Sequence, residues 1–157
     1  MIQLSGLLQK KLFRIDQHPD NKLELFDILL DIIEKTGKVK DADQLRSDLL
    51  LRENIQSTGL GYGLALPHVA SNGIDNIALC CAICPNGVDY NAIDDKPVHI
   101  AFLIAQPEHG KTREYLHVLA SLSRLFRGTE LLDMLLKLKS RDEVYDIIHT
   151  IAKEKGY

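Results

Sequence analysis

An α/β fold, a mixed β-sheet layered by α-helices in one domain spanning residues 1–157, is what this sequence predicts, and three observations carry it. Two continuous apolar runs, residues 77–84 and 98–105, are bounded by turn residues, the pattern of strands covered on both faces. Stretches with helical periodicity precede and follow them. No repeat, low-complexity tract or Pro/Gly/Ser linker divides the chain, and 157 residues can bury a core without disulfides. Helices on either side of buried strands imply a sheet with helical layers.

The first clear helix follows His18-Pro19-Asp20. Asn21 with Glu24 three residues on reads as a capping pair, and Leu23, Phe26, Leu29, Leu30 and Ile33 form one apolar face that Gly37 ends. A second helix starts near Asp41, buries Leu45 and Leu49, and stops around Asn54. Residues 56–63 are a glycine-rich loop, followed by the apolar step Leu64-Ala65-Leu66 and then Pro67-His68. Pro85-Asn86-Gly87 and Asp94-Asp95-Lys96-Pro97 are predicted turns. Beyond them Tyr115, Leu119, Leu122 and Phe126 recur at helical spacing up to Gly128, and a further helix covers residues 130–138. Ser140 with Glu143 caps a last helix carrying Val144, Ile147, Ile148 and Ile151.

Charge and composition exclude several classes. The net charge is −3 with no basic stripe, so a nucleic-acid surface, which must neutralise phosphates, is disfavoured. The apolar runs are too short to cross a bilayer, and the N-terminus lacks the pattern of a secretory signal. Three cysteines, Cys80 and Cys81 adjacent and Cys84 nearby, make no disulfide framework. The expected compartment is the cytoplasm. Because Cys80 and Cys81 fall inside a strand-like run, and not at a helix start where a dipole would lower a thiol pKa, the cysteines read as small buried hydrophobes.

Glycines 59, 61 and 63 invite a phosphate-binding reading, but no Gly-Lys-Ser/Thr follows, and the loop leads into a strand-like step instead of a helix. A plain tight loop and close approach by another group both remain open. Pro67 fixes its own φ and pushes Leu66 towards an extended conformation, which puts His68 at a rigid position. Neutral imidazole is a usable nucleophile towards phosphorus near pH 7; a loop histidine that only hydrogen-bonds is the other reading. His117 lies well off the centre of its helix's apolar stripe, so it is either a solvated flank residue or a side chain facing a site. His18, His99, His109 and His149 have no spacing that suggests a metal, and no cofactor motif is present.

Taken together, Leu51-Arg52-Glu53 and Ser57-Thr58-Gly59-Leu60-Gly61-Tyr62-Gly63-Leu64-Ala65-Leu66-Pro67-His68 resemble the signature of the type-2 enzyme IIA domains, the fructose/mannitol/nitrogen-regulatory class of the phosphoenolpyruvate-dependent phosphotransferase system (PTS). Residues 87–98 are similar to the family's segment ending in Asp-Gly-x-Pro-Val, with Asp95 in place of the glycine. Residues 102–108 resemble its next strand and turn, and His117 with Leu119 and Leu122 resembles its His-Leu-x-x-Leu-x-x-Leu helix. The resemblance implies that His68 accepts a phosphoryl group on Nε2 from the phosphohistidine carrier HPr. It also implies that Arg52 and His117 lie beside His68, and that Thr58 contributes to binding. Such transfer spreads negative charge over three equatorial oxygens, which suits the always-charged, planar Arg52, while His117 would donate a hydrogen bond or orient the attacking ring.

Val69-Ala70-Ser71-Asn72 after the histidine and the polar connection of residues 107–112 depart from the family's pattern, and partner choice is the property they bear on. Within the family the acceptor is either a cysteine of a IIB domain, ahead of sugar uptake through a membrane IIC domain, or a target protein regulated by the phosphorylation state. The chain carries no IIB, IIC or HPr-like segment and has the length of free-standing proteins, so a nitrogen-type regulatory role is expected. A binding module with unmodified His68 is disfavoured by Arg52, His68 and His117 occurring together. A metal-dependent hydrolase is disfavoured because no grouping supplies three ligands.

Overall fold

The computed structural model describes residues 2–157. Its sheet is built around the antiparallel pair β5 (Ala78–Val88) and β6 (Val98–Gln106), in register from Ala78 opposite Ala105 to Ile83 opposite Ile100. Side chains alternate across a strand, and here the alternation sorts them by size. Ala78, Cys80, Ala82 and Cys84 of β5, with Ala101, Leu103 and Ala105 of β6, face a core closed by helices α2 (Lys22–Glu34) and α3 (Ala42–Ile55). Leu79, Cys81 and Ile83, with Ile100, Phe102 and Ile104, face a second core closed by α4 (Thr112–Leu125), α5 (Glu130–Leu136) and α6 (Arg141–Glu154). Small residues on one face let α2 lie close to the strands, whereas larger ones fill the space under three helices.

The short elements complete the sheet. Helix α1 (Leu4–Leu7) and a single 3₁₀ turn lead into β1 (Phe13–Arg14), which pairs parallel with β5 and is too short to leave a period in the sequence. On the other side of β6 lie β2 (Gly59–Gly61), β3 (Leu64–Ala65) and β4 (His68–Ala70), the last two parallel to β6. The glycine-rich segment is therefore a hairpin. Tyr62 and Gly63 both take positive φ, 56° and 77°, as a two-residue turn matched to strand twist requires. Gly59 is glycine because a Cβ there would lie 2.7 Å from the Cα of Ala92.

Helix boundaries follow the capping signals. Asn21, Asp41 and Ser140 each accept a hydrogen bond from the backbone N–H three residues on. Three expectations are corrected. In α2 the buried positions include Leu25, while Leu23 is 52% exposed, because the helix packs between strand and α3 on a wider arc than a single stripe. Pro85-Asn86-Gly87 does not reverse the chain; β5 runs through it as a bulge, with a register shift between Ile83 and Val88 and φ of 76° at Gly87. Helix α5 ends at Leu136, two residues early. No helix among the described residues is long and apolar enough to cross a membrane.

Candidate functional site

The site forms where the sheet edge is interrupted. Pro67 has no N–H to donate, so the ladder beside β6 breaks at residues 66–67 and resumes at His68, whose backbone stands opposite Ile104. Pro67 still contributes its carbonyl, which accepts from the Ile104 N–H at 3.0 Å. The break turns Leu66 O inward, and His68 Nδ1 lies 2.7 Å from it. A carbonyl can only accept, so Nδ1 carries the ring proton. On the other side of the ring, Nη2 of Arg52 approaches Nε2 at 3.2 Å. A guanidinium can only donate, so Nε2 holds the lone pair. Burial is the largest influence on this imidazole and lowers its pKa; the Leu66 hydrogen bond and Glu53 work against that, and Arg52 works with it.

Arg52 sits in the last turn of α3, where a cation complements the helix dipole. Its Nη1 donates to Gln56 O at 3.0 Å, which leaves Nη2 pointing at His68. Tyr115 of α4 sets its ring edge-on to His68, with centroids 5.8 Å apart. Burial pushes the Tyr115 phenol pKa well up, so it remains a neutral hydroxyl. Together these side chains line a cleft of about 660 Å³ whose rim adds Leu51, Ile55, Asp48, Asn72 and Glu108. Asn72 donates to Glu108, joining the loop after β4 to the loop after β6 across the cleft. A smaller hollow of about 250 Å³ adjoins it, lined by His68, Arg52, Leu60 and Leu119 among others.

Of the four residues expected at the site, the structure brings His68 and Arg52 into contact and places the other two differently. His117 is a correction. Tyr115 and Leu119, one helical turn apart, are the α4 residues that reach the His68 hollows; at about 100° per residue, position 117 projects about 200° away from Tyr115. His117 is half-buried, and no hydrogen bond joins its ring to His68 or Arg52. The family's His-Leu-x-x-Leu-x-x-Leu pattern fits better when started at residue 115, with Leu116, Leu119 and Leu122 in place and Tyr115 where the histidine would stand. Thr58 lines the smaller hollow, but its hydroxyl is turned inward to Glu53 and Tyr90.

Buried Glu53 and Tyr90, with half-buried Lys22, form a network behind the site, and the sequence pattern gave no sign of it. Elsewhere, His18 pairs with Asp16 at 2.8 Å, His99 approaches the carbonyls of Cys84 and Pro85, and His149 stacks on Tyr145. No group of three or more His, Cys, Asp or Glu able to hold a metal occurs among the described residues. The cysteines are free and buried; Cys81 faces one core while Cys80 and Cys84 face the other. Burial raises all three thiols, Cys84 to about 12, so none is a ready thiolate.

The site is thus an imidazole backed by a guanidinium, both lining one cleft of an α/β domain. Residues 6–151 match the family described as phosphoenolpyruvate-dependent sugar phosphotransferase system, EIIA 2, and the chain belongs to that family. It is 32% identical over 148 residues to the fructose-specific EIIABC component of Bacillus subtilis, covering 94% of this chain and 23% of that longer protein. It is 29% identical over 150 residues to the fructose-specific EIIA component of Haloferax volcanii, covering 96% and 97% of the two chains. A nitrogen regulatory protein of Pseudomonas aeruginosa is 24% identical over 148 residues, covering 94% and 96%. Among solved structures, nitrogen regulatory protein IIA-Ntr from Neisseria meningitidis superposes with a TM-score of 0.83 at 27% identity, covering 92% and 97%. The fold alone is shared with IIA mannitol of Escherichia coli, TM-score 0.76 at 21% identity, covering 88% and 96%.

Proposed function

We propose that this chain is a phosphoryl carrier that takes the group on Nε2 of His68 from phosphorylated HPr. The observation that carries the reading is the pair of contacts that commits the ring to one tautomer: Nδ1–H to Leu66 O at 2.7 Å and Arg52 Nη2 to Nε2 at 3.2 Å. The Nε2 lone pair forms the new bond to phosphorus, the bond from phosphorus to the donor's ring nitrogen breaks, and its electron pair returns to the donor. No proton leaves His68. Its ring becomes cationic, and the Nδ1–H···O=C contact then strengthens as a charge-assisted hydrogen bond. Arg52, released from the lone pair, moves its donor to a phosphoryl oxygen, where it offsets the charge of the transition state. Tyr115 contributes a neutral hydroxyl donor in the role first expected of His117.

The onward acceptor lies in one of the two branches of the family. Fructose-specific relatives at 32% and 29% identity stand beside nitrogen regulatory proteins at 30% and 24%, so a IIB cysteine and a regulated target protein are both offered as acceptors. A IIB domain is the partner of one solved neighbour, IIA mannitol of Escherichia coli in complex with phosphorylated IIB.

The test is incubation with phosphoenolpyruvate, enzyme I and HPr. One acid-labile, base-stable phosphoryl group should appear, and His68→Ala should abolish it with the fold retained. Labelling that persists in His68→Ala overturns the reading.

A further inference from the structure

Consecutive helical residues project about 100° apart, and at the end of α3 this sends Arg52 to the cleft and Glu53 to the interior. Glu53 is 7% exposed, and a carboxylate that deep persists only when its lone pairs are occupied. Oε1 accepts from the Thr58 N–H and from Lys22 Nζ, each at 3.0 Å, and Oε2 accepts from the Thr58 hydroxyl at 2.6 Å. Thr58 has one hydroxyl proton and donates it to Glu53, so the Tyr90 hydroxyl, 2.7 Å away, must donate to Thr58. Tyr90 is fully buried, and Lys22 Nζ lies 4.3 Å from its ring centroid. Every polar group here has one assigned direction.

The network reaches the reacting groups by two short routes. Thr58 O accepts from the Leu66 N–H at 3.0 Å, and Leu66 O accepts from His68 Nδ1 at 2.7 Å. Gln56, two residues before Thr58, supplies the carbonyl that anchors Arg52 Nη1 at 3.0 Å. Glu53 thus ties down the one loop that sets both the proton on the far side of the imidazole and the aim of the guanidinium.

We infer that Glu53 is a positioning residue for phosphoryl transfer, acting through Thr58 to hold His68 in the tautomer with a free Nε2 and Arg52 in line with it. This rests on the carrier reading of His68. A neutral imidazole has two tautomers, and only the one with Nδ1 protonated leaves Nε2 nucleophilic. Loosening Thr58 frees the Leu66 carbonyl and lets the unreactive tautomer gain population.

The test separates positioning from mere stability. Glu53→Gln keeps the size and removes the charge, and Thr58→Val removes the hydroxyl should the first variant fail to fold. Imidazole ¹⁵N resonances of unphosphorylated protein, recorded above the His68 pKa, report the tautomer directly. In wild-type protein Nδ1 should resonate as a protonated nitrogen and Nε2 as an unprotonated one. In the two variants the resonances should move towards each other. The maximal rate of transfer from phosphorylated HPr should fall about tenfold while KM stays within about twofold. Thr58→Ser should restore both readouts. A folded Glu53→Gln or Thr58→Val with wild-type His68 resonances and wild-type rate overturns the inference. Wild-type protein that takes up no phosphate overturns the carrier reading alone, because the tautomer is read without phosphate.

Discussion

The two edges of β6 are built on opposite plans. Towards β5 it makes a long antiparallel ladder whose residues are buried on both faces. Towards β3 and β4 it makes two short parallel ladders separated by Leu66 and Pro67. The continuous edge spends its backbone groups on the sheet and has none to spare. The interrupted edge releases one carbonyl, Leu66 O, and that carbonyl holds Nδ1 of His68. On the proposed function, stability and reactivity are segregated across a single strand.

Breaking either side should give separable results. The largest effect is expected at His68, whose replacement by Ala should remove phosphoryl acceptance altogether. Next in size is Leu103→Ala on the continuous side: a fully buried side chain lost from the core should cost about 2–5 kcal/mol in denaturant unfolding, while transfer per folded molecule stays close to normal. If transfer falls as steeply as stability, the two edges are not independent.

Arg52→Lys keeps the charge but loses the planar fork that bridges Gln56 O and His68, so transfer should slow by about tenfold with His68 still phosphorylatable. A normal rate would reassign Arg52 to capping the end of α3. The pH dependence follows from the lowered pKa of His68. Acceptance needs the neutral ring, so the rate should hold as pH drops below the ordinary histidine range and fall only near the depressed folded-state value. For stability the cost falls in the same window: it is absent above the unfolded pKa of about 6.5, grows as pH drops from there towards the depressed folded-state value, and is constant below it. His68→Ala should flatten that part of the unfolding curve measured against pH.

The smallest effects sharpen the comparison on α4. Tyr115→Phe removes the hydroxyl of a side chain that lines the cleft, and onward transfer should slow several-fold, by about 1 kcal/mol of barrier. His117→Ala should change stability by less than about 0.5 kcal/mol and leave both half-reactions alone. Reversal of that order would put His117 back at the site.

The strands of residues 77–84 and 98–105 and the caps at Asn21, Asp41 and Ser140 were readable because periodicity and capping are local. Leu23 and Leu25 were not distinguishable, since which side of α2 is covered depends on where α3 lies. Pro85-Asn86-Gly87 looked like a turn because its residues are turn formers, and only pairing with β6 converts it into a bulge. Tyr115 left a signal in the spacing of Leu116, Leu119 and Leu122, but the presence of a histidine two residues later masked it.

By itself the sequence determined the class of fold, the rigid placement of His68 after Pro67, and the presence of a cation, Arg52, sixteen positions earlier. Those are properties of neighbouring residues, carried by fixed φ, by apolar period and by charge. Only the tertiary structure decided which atom of His68 is free, which side of α4 meets it, and that Glu53 and Thr58 stand behind it. Hydrogen-bond direction depends on which groups meet across the chain, and the hydrogen bonds made by Glu53, Thr58, Tyr90 and Lys22 join residues up to 32 positions apart.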